Sequence, residues 1–229
     1  MDAGLSIGLG HVSFAEGAMH LVFGDMDAAA SSLGDSIATF REHHDHLGLI
    51  LAISRLGELA WRRGDIDVFA DMHAQLLELG RAGRSAGVIA GATARLALAR
   101  MAKGDVEEAQ VLARSALASS SESFMPVVNG YAFRTAGLVN LRFGHVAEGR
   151  RHLHAAIEAF EQGAGGVGVG QAALCWIDLS ESLIQSGELD EARRAADRAV
   201  AVALSTGDPW VRGQAEAHLA LITAGATST

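Results

Sequence analysis

Gly64-Asp65-Ile66-Asp67 is the stretch that decides the fold, because it recurs. It stands also as Gly24-Asp25-Met26-Asp27 and Gly104-Asp105-Val106-Glu107, more loosely as Gly144-His145-Val146-Ala147, and again as Gly187-Glu188-Leu189-Asp190. The glycines are separated by 40, 40, 40 and 43 residues, and a fixed period of roughly 20–50 residues marks a stacked repeat array. A glycine followed by acids suits the turn between two helices. The glycine takes a backbone conformation costly to other residues, and acids are favoured at the start of the second helix.

The surrounding registers repeat as well. Seven residues before each glycine stand Gly17, Gly57, Ala97, Gly137 and Ser180, all small. Glycine inside a helix costs about 1 kcal/mol relative to alanine, so its recurrence there predicts a partner helix lying against the backbone. Five residues after the glycine come Ala29, Phe69, Ala109, Gly149 and Ala192, and thirteen after come Ile37, Leu77, Leu117, Ile157 and Val200. These fall on one helical stripe.

Helix starts follow from the same arithmetic. Asp45 and Ser85 precede Gly64 and Gly104 by nineteen residues, and both are good N-caps. Asp208-Pro209 holds the matching place further on, with Pro suited to the first helical position. Asp105 and Glu108 have capping-box spacing. The expectation is a single all-α array over 1–229, with repeats near 5–44, 45–84, 85–124, 125–167 and 168–207 and a last helix at 209–224. Ser119 to Ser123 and Gly163 to Gly170 are expected as surface loops. Neither flank of the array carries an evident polar cap, which suggests a piece of a longer polypeptide; oligomerisation, as a homodimer through exposed terminal helices with Leu219 and Leu221 on the exposed flank, or the last lone helix serving as a cap would also fit.

Composition narrows the function classes. A hydrophobic content of 49% with 2 prolines fits a continuous helical core, while aromatics at 5% offer few stacking platforms for bases. A formal net charge of -9 argues against direct nucleic-acid contact, which needs a basic face. The single cysteine, Cys175, reads as a buried thiol beside Trp176. The start of the chain lacks a basic n-region and no run approaches the ~18 apolar residues of a membrane span, so a soluble cytoplasmic protein with no membrane contact is expected.

A small residue, then Gly, then Ala at these spacings is the tetratricopeptide pattern lengthened to a 40-residue repeat. More closely, Phe40-Arg41-Glu42-His43-His44-Asp45 followed by Leu56-Gly57, Ala60 and Gly64-Asp65 resembles the long tetratricopeptide arrays of bacterial signal-transduction ATPases and large transcriptional regulators. The resemblance covers nearly all of residues 11–224. It implies a right-handed superhelix of antiparallel helix pairs, usually lying C-terminal to a nucleotide-binding module in a protein that often carries a helix-turn-helix domain elsewhere. Neither module is in this sequence. Phe69 and Gly149 depart from the usual Ala, and His145 replaces the turn acid.

No catalytic constellation is found, and no cofactor or metal is expected. His43-His44-Asp45-His46 has metal-ligand residue types, but four consecutive residues at a helix junction cannot all face one ion, so the stretch reads as a polar linker. His152 and His154, two apart on a helix, face away from each other. Gly163 to Gly168 matches G-x-G-x-x-G in letters, yet a dinucleotide site needs a preceding strand and this run follows a helical pattern. What remains is a surface. Tetratricopeptide arrays bind partners mainly with their first helices, and the registers thirteen, ten, six, three and two residues before each turn give Phe14, Glu58, Trp61, Arg62, Met101, Tyr131, Arg134, Leu138, Arg142, Glu181 and Gln185 as groove residues. Aromatic groups mixed with arginines suit a protein or peptide partner. The expected function is a non-catalytic interaction or regulatory module of a bacterial regulator; the alternative is a sensor binding a peptide or small effector in the groove.

The turn register is directly testable. Gly64→Val and Gly104→Val are each expected to lower stability by about 1–2 kcal/mol or more, because a β-branched residue is strained at positive φ. Thermal melts of the two variants check this, and two unchanged midpoints would refute the register.

Overall fold

The computed structural model describes residues 3–163 and 166–226, which form eleven helices and no strand. They are α1 Ala3–Phe23, α2 Met26–Glu42, α3 His46–Arg63, α4 Ile66–Ala82, α5 Ala86–Lys103, α6 Val106–Ser120, α7 Pro126–Arg142, α8 Val146–Gln162, α9 Gly166–Gln185, α10 Leu189–Thr206 and α11 Pro209–Ala226. Odd and even helices alternate as antiparallel pairs, each packing mainly on its sequence neighbours. This is an all-α helical repeat superhelix.

The turn glycines set the pairs. Gly24, Gly64, Gly104, Gly144 and Gly187 have φ between 77° and 88°. At Gly64 this bend lets the Asp65 N–H return to the Ala60 carbonyl at 2.9 Å, so α3 stops with its last carbonyls satisfied and α4 starts two residues later. The next helices start as their caps dictate. The Asp45 carboxylate accepts from the Gly48 N–H at 2.9 Å and the Ser85 hydroxyl from the Val88 N–H at 3.4 Å. Asp105 does not complete the expected capping box. Its side chain makes no cap bond, and the Glu108 carboxylate lies 3.2 Å from Arg100 Nε, drawn to the cation at the end of α5.

Core burial follows the registers. All five residues of the small slot are buried, as are all five in the slot after the turn. Gly57 shows why the first slot is small: a Cβ there would stand 2.6 Å from Cε1 of His73 on α4. The expected loop at Gly163 to Gly170 needs correction. Helix α9 already begins at Gly166, and Gly168 and Gly170 are buried within it. A Cβ at Gly168 would stand 2.5 Å from the Phe160 carbonyl oxygen, so a glycine-rich start lets α9 pass close under the end of α8. Residues 164 and 165 of the G-x-G-x-x-G run lie outside the described residues.

His73 is an unusual core residue, 1% exposed. Its Nδ1–H donates to the Phe69 carbonyl at 2.7 Å, Nε2 has no partner among the described residues, and its ring packs on Phe69. Burial, helped by the charge of Arg95, pushes its pKa down to about 3. The folded protein therefore keeps His73 neutral where the unfolded chain protonates it, so stability is full above about pH 6.5 and is lost as pH falls towards 3. The His73 contribution should make the protein about 2 kcal/mol less stable at pH 5 than at pH 7. Urea unfolding at both pH values checks this, with His73→Leu expected to flatten that part of the dependence.

Candidate binding cavity

The odd helices line the inner face of the array, and five of them, with the α10–α11 turn and α11, converge on a cavity of about 220 Å³. Leu21 on α1, Trp61 and Phe69 on the second repeat, Leu98 on α5, Leu174 on α9 and Trp210 on α11 form its apolar wall. Arg55, Glu58 and Arg62 on α3, Arg95 on α5, Arg134 on α7 and Asp208 ahead of α11 bring charge to it.

Arg62 closes the ring. Its guanidinium donates to Glu58 at 2.7 Å, one turn away on α3, and to Asp208 at 2.6 Å and 3.2 Å, 146 residues on in sequence. It also donates to the Leu21 carbonyl at 3.2 Å and lies over the Trp210 ring, 5.0 Å from its centroid. Asp208 simultaneously caps α11, accepting from the N–H groups of Trp210 and Val211. One guanidinium thus ties α1, α3 and α11 together. Burial works against the charged state of Arg62, but Glu58 and Asp208 outweigh it and raise its pKa. Burial likewise pushes the Glu58 carboxyl up, and Arg55, Arg62 and Arg95 overcome this to hold it below the usual range. Glu58 is therefore a fixed anion rather than a poised acid.

Arg134 is matched in the same way. Its Nε donates to Asp178 on α9 at 2.7 Å and its Nη1 to Gln171 at 3.2 Å. Burial alone would lower its pKa, yet Asp178 raises it. Arg95 differs. Its guanidinium stacks on Tyr131, 3.9 Å from the ring centroid, and it makes no hydrogen bond or ion pair among the described residues.

Of the eleven groove residues expected from register, Glu58, Trp61, Arg62, Tyr131 and Arg134 meet at this cavity. The other six do not line it. Phe14 packs into the core around Phe40, Met101 packs on Ala97 and Val139, Leu138 is half-buried elsewhere, and Arg142, Glu181 and Gln185 are exposed. The register nine residues before the turn was missed. It carries Arg55, Arg95, Thr135 and Asp178, three of which line the cavity while the fourth holds Arg134. Its signal was there to read, since the slot two residues before the small-residue register carries polar groups in four consecutive repeats. Among the described residues no group of three or more His, Cys, Asp or Glu is placed to hold a metal. Asp45 of the histidine-rich linker is occupied by Gly48 and lies 3.3 Å from His11.

The chain matches no known family in a scan of family sequence patterns and no curated protein by sequence. Solved structures do match. A Rap protein crystallised in complex with Competence and Sporulation Factor superposes with a TM-score of 0.71 at 15% identity, over 89% of this chain and 56% of its own. A thermophilic tetratricopeptide protein from Thermus thermophilus matches at 0.61 and 17% identity, over 92% of this chain and 98% of its own. The fold is a tetratricopeptide-type repeat array. Aspartyl phosphate phosphatase F from Bacillus subtilis shares it at a TM-score of 0.61 and 9% identity, over 95% of this chain and 59% of its own. The chain thus spans less than two thirds of the length of the Rap protein and of the phosphatase.

The tetratricopeptide array should depend on Asp208 for its closure. Asp208→Ala leaves Arg62 buried with Glu58 alone and uncaps α11, and is expected to destabilise the protein by about 3 kcal/mol. Hydrogen exchange should accelerate throughout α11 and much less in α5 and α6. Undisturbed protection in α11 would show that the closure does not rest on this carboxylate.

Proposed function

We propose that this chain is a non-catalytic recognition module, whose concave face takes up a segment of a partner protein or peptide on behalf of a larger bacterial regulator. The observation that carries the reading is the convergence of α1, α3, α5, α7, α9 and α11 on one cavity with four aromatic rings, Trp61, Phe69, Tyr131 and Trp210, and four arginines. Buried aromatic and Arg groups are the commonest energetic anchors of interfaces. Arginines hold the Glu58 carboxyl below its usual range, and the Asp208 carboxylate is taken up by Arg62 and the start of α11, an arrangement that supports a binding role. The regulator context rests on the resemblance of the Phe40 to Asp45 and Leu56 to Asp65 phrases. A cytoplasmic location accords with the absence, among the described residues, of a helix long and apolar enough to cross a membrane.

A sensor for a small effector is the second reading, and the size of the cavity favours it. At about 220 Å³ it falls below the ~300–1,000 Å³ of pockets that take drug-sized ligands, so an extended peptide could place only one side chain inside.

Capture from lysate of the native host, comparing wild type with Trp61→Ala after circular dichroism confirms both are folded, tests the use of this face. A partner that binds through it should be retained at least tenfold less by the variant, since anchor losses typically cost about 2 kcal/mol or more. Equal recovery of every partner would move the working surface to the even helices.

A further inference from the structure

We propose that the cavity is a site for one small monoanion, a carboxylate on an apolar body, with Arg95 and Tyr131 receiving the carboxylate and Trp61, Leu98 and Leu174 the body. The inference rests on the reading that the concave face is the working surface, and it specifies what that face selects.

Charge matching at the cavity singles out the ligand class. Arg55 is bound to Glu58 at 2.8 Å, Arg62 to Glu58 and Asp208, and Arg134 to Asp178. Four guanidinium groups thus stand against three carboxylates, and the unmatched one is Arg95. Glu181, a further acid that feels the charge of Arg134, lies outside the lining with its side chain 57% exposed. Arg95 is not idle for want of order. Stacking on Tyr131 holds the guanidinium plane in place while leaving its N–H groups unused, so the donors are positioned without having been satisfied. The Tyr131 hydroxyl also makes no hydrogen bond among the described residues. A second donor stands nearby: Nε of Arg62 is buried and has no acceptor, although the rest of that guanidinium is fully engaged. Buried N–H groups are nearly always paired, so Nε of Arg62 calls for an acceptor that the chain itself does not provide, and the half-buried Arg95 beside the same cavity has its donors free for one.

The remaining wall sets the body of the ligand. Its apolar groups outweigh the polar ones, and at about 220 Å³ the cavity holds the equivalent of about seven waters at ~30 Å³ each. A dianion would exceed the single unmatched charge, and a cation would add to the excess of guanidinium groups over carboxylates. A small aromatic or branched aliphatic acid satisfies all these conditions. The same chemistry could arrive as a free acid or as the C-terminal residue of a peptide, and the test separates the two.

The probes are phenylacetate, the uncharged phenylacetamide and the cation phenethylamine, together with acetyl-Gly-Gly-Phe as free acid and as C-terminal amide. Binding is followed by tryptophan fluorescence and calorimetry on the full chain. Phenylacetate should bind wild type at least tenfold more tightly than either phenylacetamide or phenethylamine. Arg95→Gln should weaken phenylacetate about thirtyfold, the range of a charge-assisted hydrogen bond, and leave phenylacetamide unchanged; Arg95→Lys should restore part of the loss. A free acid as the natural ligand predicts that phenylacetate outcompetes the peptide acid; a peptide terminus predicts the reverse, with the peptide amide failing. Equal binding of acid and amide, no response to Arg95→Gln, or no binding by any probe overturns the proposal. If host partners are still lost on Trp61→Ala but retained by Arg95→Gln, the concave-face reading survives and the monoanion site falls; if both variants retain every partner, the concave-face reading fails too.

Discussion

Everything in this structure depends on one backbone constraint: each first helix must end by turning through a conformation that residues with a Cβ adopt only at a cost. Glycine supplies that turn in every pair, with the same φ to within about ten degrees. Because the bend is the same each time, the second helix returns across the first at the same height, and the small residue seven positions earlier always meets it. His73 against Gly57, Leu33 against Gly17 and Leu153 against Gly137 are three versions of that meeting. Ser180 shows the limit of the rule, since its hydroxyl fits by donating to the Ala192 carbonyl on the partner helix and accepting from His218.

That regularity is why the fold was legible in the sequence while the cavity was only half so. Turn glycines, Asp45 and Ser85 act through neighbours in the chain, and local chemistry can be read locally. Asp105 shows where local reading failed: its spacing to Glu108 is right for a reciprocal cap, but Arg100 at the end of the preceding helix offered the carboxylate a better partner. The glycine run before α9 failed for a similar reason, since sequence marks it as flexible while packing under α8 makes it helical from Gly166. For the inner face, register arithmetic treats all repeats alike. The superhelix does not. It brings Trp61 and Tyr131 to the centre and leaves Arg142, at an equivalent register to Arg62, exposed.

The interior is also more charged than a net charge of -9 would suggest. Acids exceed bases over the whole chain, yet guanidinium groups exceed carboxylates around the cavity. Charge has been sorted by location, the acids going to turns and outer helix starts where dipoles and water stabilise them. Arginine suits the interior because its delocalised charge is more weakly hydrated than an ammonium and its fork can bond two partners at once, as Arg62 and Arg134 both do. Cys175, beside Arg134 in the same buried region, stays a neutral thiol because burial raises its pKa more than the nearby guanidinium lowers it.

Contact between Arg62 and Asp208 alters the mechanics of the whole array. In an open solenoid each repeat answers only to its neighbours, so the molecule frays unit by unit and behaves like a loose spring. Hooking the second repeat to the turn before α11 joins positions 146 apart in sequence. The loop so closed must lose its freedom before the hook forms, which makes it a late event in folding. Once formed, it converts a row of weakly coupled units into a closed hoop, in which a change of pitch anywhere is felt at the clasp.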